Sequence, residues 1–206
     1  MKLYYTPGAS SIGIHVLLDE IGAPYEAVRV DIRAGETQKP PFIDINPKGK
    51  VPTLVRDDGE VVTEYPAIAR WLAETFPAAG LLPEDGDSRL RAAEAADYCV
   101  ATLHMQGFSR IARPGNFAPS ESDHEAVKAR GRELMEKGFA LMDRQLAGKE
   151  WVAGRYSYAD SALFYVEFWG AKRVGMPLPA HCASHLDRML ARPAVQRTMK
   201  AEGLEG

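Results

Sequence analysis

Cysteine is scarce in this sequence of 206 residues, and long apolar runs are missing. The two cysteines, Cys99 and Cys182, lie in stretches with helical periodicity, which excludes a disulfide framework as the basis of the fold. No apolar run approaches the roughly 20 residues that a membrane span requires, and the N-terminus lacks the apolar core of a signal peptide. We therefore expect a cytoplasmic protein with no membrane partner.

An excess of one charge and the spacing of metal ligands are also missing. The 25 basic and 28 acidic residues leave a net charge of −3, so the chain lacks the basic excess that nucleic-acid binding requires. The five histidines show none of the spacings typical of zinc sites, and no metal is predicted. The composition, 46% hydrophobic and 26% charged, is that of an ordinary globular protein.

The pattern of the chain changes once along its length and predicts two domains. Residues 77–87 are rich in proline, glycine and aspartate, which is typical of a linker. Strand-like and helix-like stretches alternate before this linker, whereas helical periodicity dominates after it. We therefore predict domains over residues 1–78 and 86–206, the first α/β and the second all-α.

The first domain is predicted to contain a mixed sheet. Lys2–Tyr5 and Tyr25–Ile32 have the composition of strands, and a helix capped by Ser10 or Ser11 lies between them. A strand–helix–strand unit of this kind forms a right-handed parallel crossover. Asp57-Asp58-Gly59 then predicts a hairpin whose antiparallel strands, with a following helix, complete a thioredoxin-like arrangement.

The second domain is predicted to be helical throughout. A long first helix would carry Asp97 and His104 on one face, because they are two turns apart. Ser122–Glu125 and Ser157–Asp160 both have a serine with an acidic residue three positions later, the pattern of a capping box that opens a helix. The second box precedes the run Ala162–Trp169, which is apolar nearly all round and indicates a buried central helix.

Residues 46–68, NPKGKVPTLVRDDGEVVTEYPAI, combine a loop, a hairpin and a helix start. Pro52 follows a cluster of turn residues and precedes a strand. Thr63 or Glu64 would cap the next helix, whose first turn tolerates Pro66. A loop proline beside a strand edge, facing a helix N-terminus, forms a corner suited to anions and peptides.

This stretch resembles the glutathione-binding half of the glutathione S-transferases. The opening residues 2–22, KLYYTPGASSIGIHVLLDEIG, the closing residues 191–204, ARPAVQRTMKAEGL, and the segment around His104 are most similar to the bacterial beta class. The resemblance covers essentially the whole chain. It implies a thioredoxin-like N-terminal domain and an all-α C-terminal domain, with glutathione as co-substrate. It also implies a small apolar electrophile as second substrate and a homodimer.

Ser10 and Ser11 are the candidates for activating the glutathione thiol. A free thiol titrates near 8.5, so lowering its pKa by two units requires roughly 2.7 kcal/mol of preferential stabilisation of the thiolate. A hydroxyl donor at the positive end of a helix is of the right size to supply it. Beta-class enzymes typically have cysteine where this chain has Ser10, and serine cannot form their mixed disulfide with glutathione. Which serine acts is open, and Tyr5 is a further candidate.

The resemblance also implies where glutathione binds. Val51-Pro52 looks like the family's cis-proline turn, whose preceding backbone groups pair with the cysteinyl part of glutathione. Glu64 and Tyr65 match the pair of residues that holds the γ-glutamyl end. Tyr65 departs from the pattern, because its side chain is too large to copy the usual small hydroxyl or amide.

Three cations and two helical residues complete the predicted site. Lys50 is the preferred partner for the glycyl carboxylate of glutathione, with Arg33 and Lys39 as alternatives. His104 matches the histidine that beta-class enzymes present toward the thiol. Asp97 matches a polar position that, in relatives, reaches the glutathione of the other subunit.

Two other functions fit the same resemblance. The missing cysteine and the large Tyr65 leave room for a protein that uses this fold to bind a partner without turnover. A glutathione-dependent isomerase or dehalogenase is the third possibility, although the chain lacks the S-S-C-S-type sequence of the family's known isomerases.

Overall fold

The computed structural model describes residues 1–204, which fall into two compact units. Unit 1 comprises Met1–Leu82 together with the C-terminal segment from Leu190, and unit 2 comprises Pro83–Met189. The elements, in chain order, are β1 (Lys2–Tyr5), α1 (Ser11–Ile21), β2 (Glu26–Arg29), α2 (Phe42–Ile45), β3 (Thr53–Val55), β4 (Val61–Thr63), α3 (Tyr65–Thr75), α4 (Gly86–Tyr98), a π-helical segment (Cys99–Phe108), α5 (Ser109–Ala112), α6 (His124–Leu146), α7 (Tyr158–Phe168), a second π-helical segment (Trp169–Val174), α8 (Ala180–Ala191) and α9 (Pro193–Ala201).

The sheet of unit 1 has four strands in the order β2-β1-β3-β4. Leu3 pairs with Ala27 across the parallel β1–β2 ladder and with Leu54 across the antiparallel β1–β3 ladder. Leu54 in turn pairs with Val62 across the hairpin. The predicted thioredoxin-like domain with a mixed sheet is therefore confirmed, as is the helical second half of the chain.

The core of unit 1 lies between this sheet and its helices. Leu3 and Leu54 are completely buried in the two central strands. Every residue of α1 from Ser11 to Leu18 is buried, so this helix contacts protein on all sides. Each buried leucine side chain contributes about 1.5–3 kcal/mol relative to an exposed one. The start of α1, where both candidate serines lie, is thus buried in this core.

The C-terminal helix α9 belongs to unit 1, which corrects the predicted domain of residues 86–206. Thr198 Oγ1 donates to Asp19 Oδ2 at 2.7 Å, and the Arg197 guanidinium donates to the Asp19 carbonyl oxygen at 2.8 Å. Arg192 also pairs with Glu20 at 2.6 Å. These bonds join residues more than 170 positions apart. No local pattern in the sequence indicates such a pairing.

Helix α7 is the centre of unit 2, and all its residues from Tyr158 to Phe168 are buried. The predicted capping box at its start is confirmed, because the Ser157 N–H donates to Asp160 Oδ2 at 2.8 Å. Asp160 Oδ1 accepts a further bond from the Val152 N–H at 2.9 Å. This side chain therefore joins the preceding loop to the start of the buried helix.

The other predicted capping box does not form. Helix α6 begins at His124, with Asp123 as its N-cap residue and no capping bond from that side chain. Ser122 lies inside a short 3₁₀ turn that leads into the helix, and its hydroxyl pairs with the Ser120 hydroxyl at 2.8 Å. The 3₁₀ turn moves the helix start beyond Ser122, so the serine no longer occupies the cap position.

Within residues 1–204, no helix is both long and apolar enough to span a bilayer.

Candidate active site

A tight turn before α1 delivers the candidate serines to the helix N-terminus. The Ala9 N–H donates to the Thr6 carbonyl oxygen at 2.9 Å, and Gly8 between them has φ 64°. Proline at position 7 sets the first turn dihedral, and glycine accepts the positive φ that follows, as in a type II turn. Ser10 is then the N-cap residue of α1.

The two serines have different surroundings. The Ser11 hydroxyl is completely buried, accepts from the Thr6 N–H at 3.2 Å and lies 3.3 Å from the Thr6 carbonyl oxygen, to which it donates. The Ser10 hydroxyl lies 3.5 Å from the Val51 carbonyl oxygen, which is beyond the usual range of a hydrogen bond, and makes no capping bond to α1. Ser11 thus holds the turn closed, whereas the Ser10 hydroxyl remains able to donate to another acceptor.

Tyr5 lies at the end of β1 and is 9% exposed. Its ring contacts the imidazole of His15, with 5.2 Å between ring centroids. Burial, together with the charge of Glu202, raises the pKa of Tyr5. The phenol therefore keeps its proton at neutral pH, so it can act as a hydrogen-bond donor but not as a base.

The peptide bond between Val51 and Pro52 is cis, as the resemblance implies. Just before it, the carbonyl oxygen of Lys50 accepts from the Asn46 side-chain amide and from the Thr53 hydroxyl, both at 2.9 Å. The half-exposed Val51 has a backbone N–H that meets no acceptor within residues 1–204. This corner therefore presents a free peptide donor held in place by a side-chain network. The sequence interpretation missed Asn46 and Thr53, whose only signal is polarity at buried positions.

Glu64 has a backbone conformation that non-glycine residues rarely adopt. Its φ is 69° and its ψ is 124°, and it is the one non-glycine residue with positive φ in residues 1–204. Such a conformation costs about 1–3 kcal/mol and tends to occur at functional sites. Glu64 is the N-cap residue of α3, where backbone N–H groups are available to an anion.

Lys48 and Tyr65 complete the surroundings of Glu64. The Lys48 ammonium pairs with Glu64 Oε1 and donates to the Thr63 hydroxyl, both at 2.9 Å. The sequence interpretation did not select Lys48, although it lies 16 residues from Glu64 across a predicted hairpin. Tyr65 is only 4% exposed. Its side chain is therefore buried and does not occupy the place of a small polar group at the surface.

The three predicted cations are exposed. The Lys39 ammonium donates to the Ala34 carbonyl oxygen at 3.3 Å. Lys50 and Arg33 form no ion pair with another residue in the described part of the chain. No group of three or more potential metal ligands comes together within residues 1–204.

In unit 2, His104 belongs to an aromatic cluster. Its Nδ1 lies 3.4 Å from the Tyr165 hydroxyl, and its ring meets that of Trp169 edge-on at 4.7 Å. Phe108 stacks on Trp169 at 4.2 Å. His104 and Phe108 lie on the first π-helical segment and Trp169 on the second. Segments of this kind often mark functional sites.

Asp97 and His104 are seven residues apart in one continuous helical run. Asp97 is exposed in the last turn of α4, and His104 is half-buried in the π-helical segment that begins at Cys99. The residues that precede them, Ala96 and Leu103, are both buried, so the buried side of the run repeats over the same spacing. The predicted role of Asp97 toward a second subunit stays a prediction.

A groove of about 590 Å³ lies between α4 and α6 in unit 2. Tyr98 and Met142 contribute to its apolar lining, and Arg91, Glu94 and Lys149 contribute charge.

Comparisons with known proteins agree with this geometry. The family described as "Glutathione S-transferase, N-terminal domain" matches residues 10–75. The chain is 35% identical over 209 residues to glutathione S-transferase GstA of Escherichia coli O157:H7, covering 100% of both chains. A glutathione transferase homologue from Sulfitobacter, solved with bound glutathione, is 30% identical, has a TM-score of 0.88 and is matched over 98% of its length by 99% of this chain. The bacterial beta class glutathione S-transferase of Sphingomonas chungbukensis is 34% identical, with a TM-score of 0.85 and 100% of both chains covered.

Proposed function

This chain belongs to the glutathione S-transferase family and uses glutathione as its co-substrate, and from this premise we propose that Ser10 stabilises the glutathione thiolate. The observation that carries the proposal is the approach of the Ser10 hydroxyl to the Val51 carbonyl oxygen, at 3.5 Å. This approach brings a hydroxyl at a helix N-terminus next to a free backbone N–H, from positions 41 residues apart in sequence. A peptide thiol paired to the Val51 backbone would therefore have its sulfur near Ser10.

Glutathione would occupy the edge of unit 1 around this corner. The Val51 N–H would pair with the cysteinyl residue, as an added strand does. The γ-glutamyl carboxylate would lie at the start of α3, where Glu64 has its unusual backbone and the Tyr65 N–H belongs to the first turn. Lys50 would meet the glycyl carboxylate, which is supported by its exposed ammonium and its lack of an ion pair within residues 1–204.

Ser10 would act by lowering the pKa of the bound thiol. At neutral pH a thiol with a pKa of about 8.5 is only a few per cent ionised. A hydroxyl donor and the positive end of α1 together stabilise the anion, and each is worth on the order of 1 kcal/mol or more. The resulting thiolate attacks the electrophile, so catalysis comes from ionisation and placement of the nucleophile.

The experiment compares Ser10→Ala with Ser11→Ala by ultraviolet titration of the bound thiolate. We expect Ser10→Ala to raise the pKa of bound glutathione by about one to two units. Ser11→Ala should leave that pKa near the wild-type value and lower the free energy of unfolding by about 1 kcal/mol, because it loses only the bonds to Thr6. An unchanged thiolate pKa in Ser10→Ala would refute the proposed role.

Two further measurements separate an enzyme from a binding protein, namely retention on immobilised glutathione and the rate of conjugation. Wild-type protein that passes unretained through immobilised glutathione, and that leaves conjugation of a chloronitrobenzene at the uncatalysed rate, would be a binder without turnover. None of the contacts described above favours an isomerase or dehalogenase.

The second substrate and the assembly are also proposals. A small apolar electrophile is supported by Met105 and Phe117, which are 42% and 39% exposed in unit 2 near the sequence position of His104.

A homodimer is supported by Leu90 and Leu141, which are 59% and 46% exposed on α4 and α6. Light scattering measures the assembly. A wild-type mass equal to that of one chain, with the same mass in Leu141→Glu, would contradict the dimer. We expect a cytoplasmic enzyme, in keeping with free thiols at both cysteines.

A further inference from the structure

A buried carboxylate reaches the turn that precedes Ser10 from the far end of the chain. Glu202 follows α9 and is 5% exposed, with its side chain completely buried. Its Oε2 accepts from the Gly8 N–H at 2.6 Å, although the two residues are 194 positions apart. Its Oε1 lies 2.8 Å from His15 Nδ1. Both carboxylate oxygens are therefore engaged within unit 1.

The bond to Gly8 holds the central peptide of the turn. In a four-residue turn of this kind, the orientation of the peptide between positions two and three distinguishes type I from type II. Here that peptide joins Pro7 to Gly8, and its N–H is the group that Glu202 binds. A bond from an N–H to a carboxylate is shorter and stronger than one between neutral groups. The carboxylate thus fixes the conformation of the turn two residues before Ser10.

His15 holds the carboxylate itself. The 2.8 Å between His15 Nδ1 and Glu202 Oε1 is a hydrogen-bond distance. The imidazole is 1% exposed and lies between two tyrosine rings, at 5.2 Å from Tyr5 and 5.7 Å from Tyr25. A buried carboxylate is costly unless it is paired and hydrogen-bonded. His15 and the Gly8 N–H supply that pairing.

The other polar contacts of α9 lie at the opposite end of α1. Thr198 and Arg197 bond to Asp19, near the end of that helix. They anchor α9 without touching residues 6–10. Glu202 therefore differs from its neighbours in the same segment, because it bonds to the turn that leads into Ser10.

We propose that Glu202, held by His15, is a positioning residue that keeps the Ser10 hydroxyl where it meets the glutathione sulfur. This inference rests on the proposed role of Ser10 and adds that the C-terminal segment sets the geometry of the thiol site. Glutathione itself would bind through Val51 and Glu64. Disturbing Glu202 should therefore affect ionisation and turnover more than affinity.

The experiment compares Glu202→Gln with Thr198→Val, which removes an α9 anchor that does not reach the turn. In Glu202→Gln we expect kcat to fall by roughly tenfold or more, the scale of a lost hydrogen bond to a charged group, with KM for glutathione nearly unchanged. The pKa of the bound thiol should rise by about one unit. Thr198→Val should lower Tm while leaving kcat, KM for glutathione and the pKa of the bound thiol at wild-type values.

The sign of the pKa change separates positioning from simple electrostatics. Removing a nearby negative charge would by itself favour the thiolate and lower its pKa. A lowered or unchanged pKa in Glu202→Gln would therefore overturn the proposal, and so would an equal change in Thr198→Val. If Glu202→Gln does not fold, Glu202→Asp shortens the side chain and keeps the charge, and we expect the same direction of change with a smaller size.

A second readout does not depend on catalysis. The Gly8 amide should exchange slowly with solvent in the wild type and faster in Glu202→Gln, with Thr198→Val unchanged. Equal protection in all three proteins would contradict the positioning role even if Ser10 did not act on the thiol. Failure of the proposed function alone would appear as an unshifted thiolate pKa in Ser10→Ala, with Gly8 still released by Glu202→Gln.

Discussion

Each unit buries a histidine bonded to carboxylate, but the two clusters differ in what they hold. In unit 1, Glu202 divides its two oxygens between His15 and the backbone of Gly8. In unit 2, His185 divides its two nitrogens between Glu167 Oε2 at 2.7 Å and Asp160 Oδ1 at 3.3 Å. The first cluster ends on a turn beside the candidate thiol site. The second ends on the start of the central helix α7.

The comparison leads us to expect that a similar histidine–carboxylate pair positions a turn in unit 1 and stabilises the fold in unit 2. Asp160 accepts bonds from the backbone of Val152 and Ser157 as well as from His185, and all of these groups lie in unit 2. Removing it would leave several buried donors without a partner. Glu202 instead bonds to a single turn, whose displacement would move the Ser10 hydroxyl. We therefore expect loss of the first cluster to change chemistry and loss of the second to change stability.

The largest expected effect is a loss of stability in the Asp160→Ala variant. This change leaves buried donors and the His185 imidazole unpaired, so we expect the free energy of unfolding to fall by about 3–5 kcal/mol. Urea unfolding measures this loss. The fraction that remains folded should bind glutathione with an unchanged thiolate pKa, because Asp160 contacts nothing in unit 1 through these bonds.

Asp85→Ala is the matched control for that prediction. Asp85 is the N-cap residue of α4 and accepts from the Ser88 N–H at 2.8 Å, a distance like that between Asp160 and Ser157, but it is exposed. We expect the free energy of unfolding to fall much less in Asp85→Ala than in Asp160→Ala. Equal losses would mean that capping geometry, and not burial of the cluster, makes Asp160 important.

A smaller effect on the free energy of unfolding is expected from a rise in pH. Burial alone would lower the pKa of His185, but the Glu167 and Asp160 carboxylates raise it to about 9. In the unfolded chain the pKa of a histidine is near 6.5. Because the pKa is higher in the folded state, the stabilisation is complete at pH values below 6.5 and is lost as pH rises to about 9. We therefore expect the free energy of unfolding to decline by roughly 3 kcal/mol over this window.

The groups around His185 support the sign of that prediction. Burial raises the pKa of Glu167, so this acid also binds its proton more tightly in the folded state. Burial likewise raises the pKa of the Cys99 and Cys182 thiols, so their ionisation in the unfolded chain adds a decline above about pH 8.5 in every variant. Urea unfolding from about pH 6 to 8.5 should therefore show the decline due to His185 in the wild type and a flatter profile in His185→Gln. A parallel decline in both proteins would assign the effect to other groups.

The elements that could be predicted are those with local signals. The strand Lys2–Tyr5, the hairpin at Asp57-Asp58-Gly59 and the capping box at Ser157–Asp160 each depend on residues within a few positions of one another. Their physical causes, namely alternation, turn conformation and reciprocal capping, act over the same short range. The box at Ser122–Glu125 failed although its pattern matched, because a 3₁₀ turn shifted the start of α6.

The candidate site was only partly predictable, because its geometry depends on contacts that local sequence signals do not specify. Ser10 and Ser11 are adjacent and chemically identical, so the sequence could not separate them. Only the folded turn assigns the Ser11 hydroxyl to Thr6 and leaves Ser10 facing Val51. The burial of Tyr65 was likewise hidden, since an aromatic residue at a helix start can point either inward or outward.

The amino-acid sequence alone predicted a mixed α/β half followed by a helical half, and its motifs pointed to the glutathione S-transferase family. Periodicity and turn chemistry carry that information because they are properties of neighbouring residues. The tertiary structure decided which residues far apart in the chain meet, including Glu202 with Gly8 and His15 and the return of α9 to unit 1. Those contacts depend on how whole elements pack, and packing follows from the shape of the folded core, which no short stretch of sequence encodes.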